Sequence, residues 1–100
     1  MSEYHFEWDA TKAATNQEKH GLAFEDAARV FRDPFALTVY DDQHSGLDEQ
    51  RWVTLGKLAD GRLLVVIHTF EEVSPGELRV RIISARRSTR NERRTYEERA

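Results

Sequence analysis

The chain has 100 residues, no cysteine and a formal net charge of −3 at neutral pH. This length fits a single domain spanning residues 1–100, and the absence of cysteine excludes disulfide bonds and thiolate chemistry. No segment approaches the ~18 apolar residues of a membrane span, and the N-terminus lacks the apolar run of a signal peptide. We therefore expect a cytoplasmic protein that does not associate with membranes.

The first predicted elements are a strand and a helix. Aromatic residues alternate with polar ones from Tyr4 to Trp8, which is typical of a half-buried strand. Asp9 is a favourable N-cap for a helix over Ala10–His20, and Gly21 suits the end of that helix. The apolar positions that we expect this helix to bury are small: Ala10, Ala13 and Ala14.

A short second helix is predicted from the apolar spacing i, i+3, i+4, i+7 of Phe24, Ala27, Ala28 and Phe31. Its start is poor because Ala23 occupies the capping position, and Asp33-Pro34 should end it. A strand over Phe35–Tyr40 and a polar loop over Asp41–Gln50 are expected to follow.

The middle of the chain predicts the two strands of a hairpin, Arg51–Leu58 and Arg62–Thr69. Between them, Asp60-Gly61 favours a two-residue turn, and such a turn would pair Val53 with His68. Because side chains alternate across a strand, Arg51 and His68 would then lie on one face, near the open end of the hairpin.

The segment LRVRIISARRSTR, residues 78–90, combines a buried strand with five arginines: Arg79, Arg81, Arg86, Arg87 and Arg90. A guanidinium group presents a planar fork of donors that suits phosphate, so this segment indicates a site for a polyanion or an acidic partner. Alternation places Arg81 and Arg86 on opposite faces unless the strand breaks at Ala85, and Ser84 shares the parity of Arg86.

The last predicted helix, Arg90–Arg99, begins with a capping box formed by Thr89 and Glu92. Tyr96 is its only large apolar side chain, so we expect the helix to dock loosely or to be completed by a partner. Charge is also segregated, because residues 79–100 hold 8 Arg and 3 Glu, whereas residues 1–78 hold 7 basic and 15 acidic residues. This asymmetry favours a polyanion or an acidic protein at the basic end.

The order of these elements predicts an α+β fold, with N-terminal helices packed on an antiparallel sheet and a C-terminal helix. The histidines form no HxH or HxxxH pair and no glycine-rich nucleotide motif occurs, so neither a metal site nor a cofactor is expected. Histidine and arginine together suit metal-free RNA cleavage, with histidine as acid or base and arginine against the charged transition state. His20, His44 and His68 are the candidates, although a histidine in a half-apolar strand is more often a hydrogen-bonded core residue.

Three segments resemble the BrnT-type toxins of bacterial type II toxin–antitoxin systems: FEWDATKAATNQEKHGLAFEDAARVF, RWVTLGKLADGRLLVVIHT and RIISARRSTRNERRTYEE. The resemblance spans about residues 5–98, from one end of the chain to the other. Ala10 replaces a common proline and Ala23 replaces a common serine, and both changes concern how the first two helices begin.

This resemblance implies a RelE-like fold and a ribonuclease toxin that cleaves RNA and halts translation. It also implies neutralisation by a small BrnA-type antitoxin, whose DNA-binding domain would carry the complex to its own operator. Two other functions are kept beside this one. The chain could act by binding alone, as relatives of this fold do on DNA gyrase, or it could act only as an antitoxin-bound corepressor.

The candidate site residues are His20, Arg51, His68, Arg81, Ser84 and Arg86. We expect the three arginines to bind phosphate or stabilise the transition state, either histidine to act as acid or base, and the serine to hydrogen-bond the substrate. An alternative interpretation of Arg81 is an ion pair with a carboxylate at the edge of the core.

Overall fold

The computed structural model describes residues 3–43, 45–46 and 49–99. The elements of this part of the chain are β1 (Glu3–Trp8), α1 (Ala10–His20), α2 (Phe24–Arg29), β2 (Leu37–Asp41), β3 (Arg51–Lys57), β4 (Leu63–His68), β5 (Glu71–Ser74), β6 (Glu77–Arg87) and α3 (Arg90–Arg99). A 3-10 turn, Val30–Arg32, extends α2. No helix within these ranges combines the length and the apolar character that crossing a membrane requires.

All the described strands belong to one sheet in the order β1-β6-β4-β3-β2, and β5 pairs with the first part of β6. The pair β1–β6 is parallel and the other pairs are antiparallel. We call the face that packs on α1 and α2 the helical face, and its core includes Phe24, Val66 and Ile82. We call the opposite face, which carries Arg51 and Arg81, the arginine face. The predicted α+β fold is confirmed.

The ends of the N-terminal helices follow from their capping residues. The Asp9 carboxylate accepts a hydrogen bond from the Lys12 amide at 2.9 Å, and Gly21 adopts a left-handed conformation with φ of 67°. Helix α2 has no side-chain cap because Ala23 offers no acceptor. The chain leaves the following 3-10 turn at Asp33, the residue before proline, as predicted.

The strand β2 begins two residues later than predicted, at Leu37 instead of Phe35. Both residues before it are held in a turn by Asp33. The Asp33 carboxylate accepts a hydrogen bond from the Phe35 amide at 2.9 Å, and the Asp33 carbonyl accepts one from the Ala36 amide at 3.1 Å. An aspartate that bonds the backbone two residues ahead favours a turn over a strand.

The buried side of α1 differs from the expectation. Of the three alanines expected to be buried, one packs against the core and two are exposed: Ala13 packs, whereas Ala10 and Ala14 are exposed. The buried residue is Asn16. Its side-chain amide donates to the Ala85 carbonyl at 2.9 Å and accepts from the Ala85 amide at 3.1 Å. Since β1 ends opposite Ile82, this side chain satisfies the backbone of β6 on the edge that β1 no longer covers, while β4 continues along the other edge.

The hairpin loop between β3 and β4 has three residues, not the predicted two. The Leu58 amide donates to the Arg62 carbonyl at 2.8 Å, and the Gly61 amide donates to the Leu58 carbonyl at 3.0 Å. Gly61 has φ of 94°, which supplies the left-handed residue that a three-residue hairpin loop requires.

The longer loop shifts the register of the hairpin by one residue. His68 pairs with Trp52, so the predicted pairing with Val53 is wrong. Because a slip of one residue moves a side chain to the other face, His68 lies on the helical face while Arg51 lies on the arginine face. The expectation that these two residues share a face is therefore also wrong.

A bulge in β6 changes the alternation of its side chains. Ile67 pairs with Ser84, whereas the next residue of β4, His68, pairs with Ile82. Ile83 is therefore an extra residue on β6. Beyond an extra residue of this kind, the alternation of side chains between the two faces is shifted by one position.

The bulge places Arg81 and Arg86 on the same face of the sheet. Arg86 pairs with Val65, which belongs to the core of the arginine face. The predicted separation of the two arginines onto opposite faces is wrong, and the cause is the bulge and not a break of the strand at Ala85. Ser84 lies on this face with them.

Helix α3 docks on the arginine face through Tyr96, which is 5% exposed. The ring packs against the apolar residues of that face: Leu55, Leu63 and Val65. The Tyr96 hydroxyl donates to the Asp33 carboxylate at 2.6 Å. The predicted capping box is confirmed, since the Thr89 amide donates to Glu92 at 2.8 Å and the Glu92 amide donates to Thr89 at 3.2 Å.

We expect Asn16→Ala to lower the free energy of unfolding by about 2–4 kcal/mol, because it leaves the buried amide and carbonyl of Ala85 without partners. The neighbouring Gln17→Ala is the control, since Gln17 is exposed and a change there should stay within about 0.5 kcal/mol. Urea unfolding followed by circular dichroism measures both. Equal stability of the two variants would contradict the role of Asn16.

Candidate active site on the arginine face

Two arginines from separate elements meet at one carboxylate. Arg51 begins β3, Arg81 lies in β6, and Glu49 belongs to the loop before β3. One oxygen of Glu49, Oε1, accepts from Arg51 Nε at 3.2 Å, and the other, Oε2, contacts Arg81 Nη2. The side chains are 30%, 34% and 39% exposed for Arg51, Glu49 and Arg81. The group is thus half-buried and open to solvent.

A shallow cavity of about 410 Å³ adjoins this carboxylate, and its lining residues are Glu7, Glu49, Gln50, Thr69, Phe70, Glu71, Arg79 and Arg81. Register explains why the cavity is so highly charged. In the parallel pair of β1 and β6, Glu7 lies beside Arg81, and in the pair of β5 and β6, Glu71 lies beside Arg79. Arg79 and Glu71 approach within 3.7 Å.

Arg86 is engaged with the start of α3 and not with the cavity. Two of its nitrogens donate to the two carboxylate oxygens of Glu92, both at 2.8 Å. These bonds, together with the Thr89 amide bond, lower the pKa of Glu92 to about 2, and the same pair raises the pKa of Arg86 above its ordinary value. Ser84 is half-buried between Arg81 and Arg86 along the strand.

His68 is fully buried on the helical face, away from the arginines. Its Nδ1 donates to the Thr69 carbonyl at 2.8 Å. The neutral ring therefore accepts at Nε2 from the Thr54 hydroxyl, which lies 2.7 Å away. Burial lowers the pKa of His68 below its ordinary 6.5, and the Thr69 hydrogen bond opposes this only in part. The Phe31 ring covers it at a centroid distance of 5.0 Å.

The other histidines differ in position. His20 is exposed at the end of α1, and no hydrogen bond or ion pair within the described ranges joins it to an arginine. His44 lies outside the described residues. His5, which sequence reasoning passed over, lies beside Arg79 in the β1–β6 register and so belongs to the arginine face. Its Nε2 is 3.4 Å from Glu77.

The structure thus brings together part of the predicted site. Arg51, Arg81, Ser84 and Arg86 share a face, whereas His68 lies on the other one. Sequence reasoning missed Glu49, although it anticipated a carboxylate partner for Arg81. The only sequence signal for Glu49 is its position two residues before Arg51, in a loop rich in acidic residues.

Comparisons with known proteins find one matching family and a similar crystal structure. A family described as the ribonuclease toxin, BrnT, of type II toxin–antitoxin systems matches residues 8–92. The crystal structure of the Brucella abortus ribonuclease toxin BrnT is similar, with a TM-score of 0.58 and 25% sequence identity. That similarity covers 89% of this chain and 100% of the Brucella chain. No curated protein sequence matches the chain.

Burial of His68 predicts a loss of stability in mild acid. Its folded pKa lies below 6.5, so the unfolded chain binds the proton more readily, and the free energy of unfolding falls as pH drops from 7 to 5. The slope contributed by one such group is at most about 1.4 kcal/mol per pH unit. Urea midpoints across this range should fall less steeply for His68→Gln than for the exposed-site control His20→Gln. Equal slopes would contradict the prediction.

Proposed function

Because the chain belongs to the family of BrnT ribonuclease toxins of type II toxin–antitoxin systems, we propose that it cleaves cellular RNA without a metal ion and thereby inhibits translation. The observation that carries this proposal is the meeting of Arg51 and Arg81 at one anion-binding position. The two arginines come from distant parts of the sequence, and only the fold brings them together.

The proposed chemistry uses arginine where other ribonucleases use a metal ion. In this reaction a base takes the proton of the 2′-hydroxyl, whose oxygen attacks the phosphate. The bond from phosphorus to the 5′-oxygen breaks, an acid protonates the leaving 5′-oxygen, and a 2′,3′-cyclic phosphate remains. Negative charge builds on the phosphate oxygens during the attack. Fixed guanidinium groups directed at those oxygens stabilise that charge, because they need little reorganisation during the reaction. In the described part of the chain, no group of three His, Asp or Glu side chains converges as metal ligands would. In the proposed site, Arg51 and Arg81 supply the positive charge.

The acid or base of the proposed reaction must contact the RNA, so its side chain must be exposed in the free protein. His68 is 0% exposed, and we assign it a structural role in the core. Among the residues that the structure describes, the exposed histidines are His20, which is one of the candidates indicated by the sequence, and His5, which lies on the arginine face. Imidazole is the side chain most often used as the acid or base in proton transfer, so either residue is a candidate for exchanging protons with a ribose hydroxyl.

We assign different roles to Arg86 and Ser84, the two remaining candidates on the arginine face. The bidentate pair with Glu92 holds Arg86 against α3, so we assign it to positioning of that helix. Ser84 is half-buried on the same face, and its hydroxyl is proposed to hydrogen-bond the RNA.

The proposed partner is a BrnA-type antitoxin, and the complex is proposed to bind operator DNA through the antitoxin. The surface that supports a protein partner is α3, on which Arg90 and Arg94 lie one turn apart. Both are exposed, and neither forms an ion pair with any residue that the structure describes. An acidic antitoxin segment would neutralise them and cover the approach to the arginine face.

We expect Arg81→Ala to abolish growth arrest and to lower RNA cleavage by at least about 100-fold, because it removes one cation from the transition state. The matched control is Arg32→Ala, which removes an exposed arginine outside the site. Primer extension on cellular RNA after induction measures cleavage, and a thermal melt of each purified variant shows that it folds. Full toxicity of Arg81→Ala would contradict the proposed site.

Cleavage by the purified protein should continue in excess EDTA, because arginine supplies the positive charge. The same RNA is incubated with and without the chelator and analysed on a denaturing gel. Loss of cleavage on chelation, followed by recovery when a divalent ion is added, would contradict a metal-free reaction.

A further inference from the structure

The two oxygens of the Glu49 carboxylate bind two different guanidinium groups. Oε1 accepts from Arg51 at 3.2 Å, and Oε2 contacts Arg81. A phosphodiester also presents two equivalent oxygens on one centre, and arginine binds both kinds of oxyanion with the same planar donors. The geometry that holds this carboxylate is therefore suited to an RNA phosphate.

We propose that Glu49 occupies the phosphate-binding position in the free protein and that an RNA phosphodiester must displace it. This inference rests on the proposed function, and it adds an internal competitor to the arginine pair. Glu49 limits binding to anions that outcompete a carboxylate tethered at the site.

The Glu49 carbonyl and the Arg51 amide are held by hydrogen bonds, while the Glu49 side chain reaches into the site. The Glu49 carbonyl accepts from the Gly46 amide at 2.8 Å, and the Arg51 amide donates to the Ser45 hydroxyl at 2.9 Å. The Glu49 side chain itself is 34% exposed. Displacement therefore requires rotation of one partly exposed side chain, and the bonds that hold the backbone can remain.

Charge balance at the cavity explains why the displacement matters. Its ionised groups, with Arg51, are three carboxylates and three guanidiniums: Glu7, Glu49 and Glu71 against Arg51, Arg79 and Arg81. While Glu49 stays in place these charges cancel, and Arg79 already has Glu71 within 3.7 Å. When Glu49 rotates away, one positive charge remains between Arg51 and Arg81. That charge matches the single negative charge of a phosphodiester.

An alternative role for Glu49 is that of general base in cleavage. Measuring the affinity for an RNA that cannot be cleaved distinguishes the two roles. The probe is a fluorescent oligonucleotide carrying 2′-O-methyl groups throughout, which offers phosphates but cannot be cleaved. If Glu49 competes with phosphate, Glu49→Gln should bind this probe about tenfold more tightly than the wild-type protein, as expected for losing two partly exposed ion pairs. If Glu49 is only a base, the same variant should lose cleavage without a gain in binding.

Two further variants make the result specific. Glu71→Gln removes the same charge from the same cavity but releases only Arg79, so its affinity should stay within about twofold of wild type. Adding Arg81→Ala to Glu49→Gln should abolish the gain. Fluorescence anisotropy at fixed salt measures all the affinities, and thermal melts exclude unfolded variants.

The inference is overturned if Glu49→Gln binds the probe no more tightly than the wild-type protein, or if Glu71→Gln gains as much. This failure differs from failure of the proposed function, because binding is measured without cleavage. A wild-type protein that cleaves RNA, with no gain for Glu49→Gln, would retain the proposed function and exclude Glu49 as the competitor. A wild-type protein that cleaves no RNA would overturn the proposed function whatever Glu49 does.

Discussion

The bulge at Ile83 is the constraint on which the rest of the arginine face depends. Strand β6 buries both Ile82 and Ala85 in the core of the helical face, at 1% exposure each. In a regular strand, two residues three positions apart would lie on opposite faces. If the same sequence continued through Ile83 as a regular strand with no bulge, the side chain of Ala85 would turn away from that core and Arg86 would turn into it, at a large cost in desolvation. The bulge lets one strand supply a core residue on either side of it while keeping Arg81 and Arg86 on the opposite face.

Close packing of so many arginines is possible because acidic residues from elsewhere in the chain lie against them. The ion pairs on this face are Arg51 and Arg81 with Glu49, Arg79 with Glu71, and Arg86 with Glu92. Two of these three glutamates come from the acidic first part of the sequence. The charge segregation seen along the chain is therefore largely cancelled in space at the sheet, and the surplus positive charge is carried by α3 and the end of β6.

How much of the fold could be predicted depended on how local its cause was. The cap at Asp9, the helix end at Gly21 and the capping box before α3 each involve residues within four positions of one another, and all are confirmed. The hairpin register was wrong because Asp-Gly suits both two-residue and three-residue loops, and a single residue decides which face His68 occupies. The burial of Asn16 was not predicted, because it results from hydrogen bonds to the backbone of Ala85. The periodicity of a helix cannot indicate a partner so distant in the sequence. The bulge has no local signature either, so the site could be predicted by residue type but not by geometry.

The ion pairs of the arginine face differ in their geometry and in whether they also cap a helix. Arg86 and Glu92 make two parallel hydrogen bonds of 2.8 Å, and Glu92, with its pKa of about 2, stays ionised at any physiological pH. The Glu92 carboxylate also caps α3, so breaking this pair would release the start of a helix as well as a charge. Glu49, in contrast, divides its oxygens between two arginines and caps no helix. In the proposed mechanism, an incoming anion replaces Glu49 while the Arg86 pair keeps α3 in position. The proposed site uses both kinds of pair: the Arg86 pair stays closed and holds the scaffold, and the Glu49 contacts open to admit the substrate.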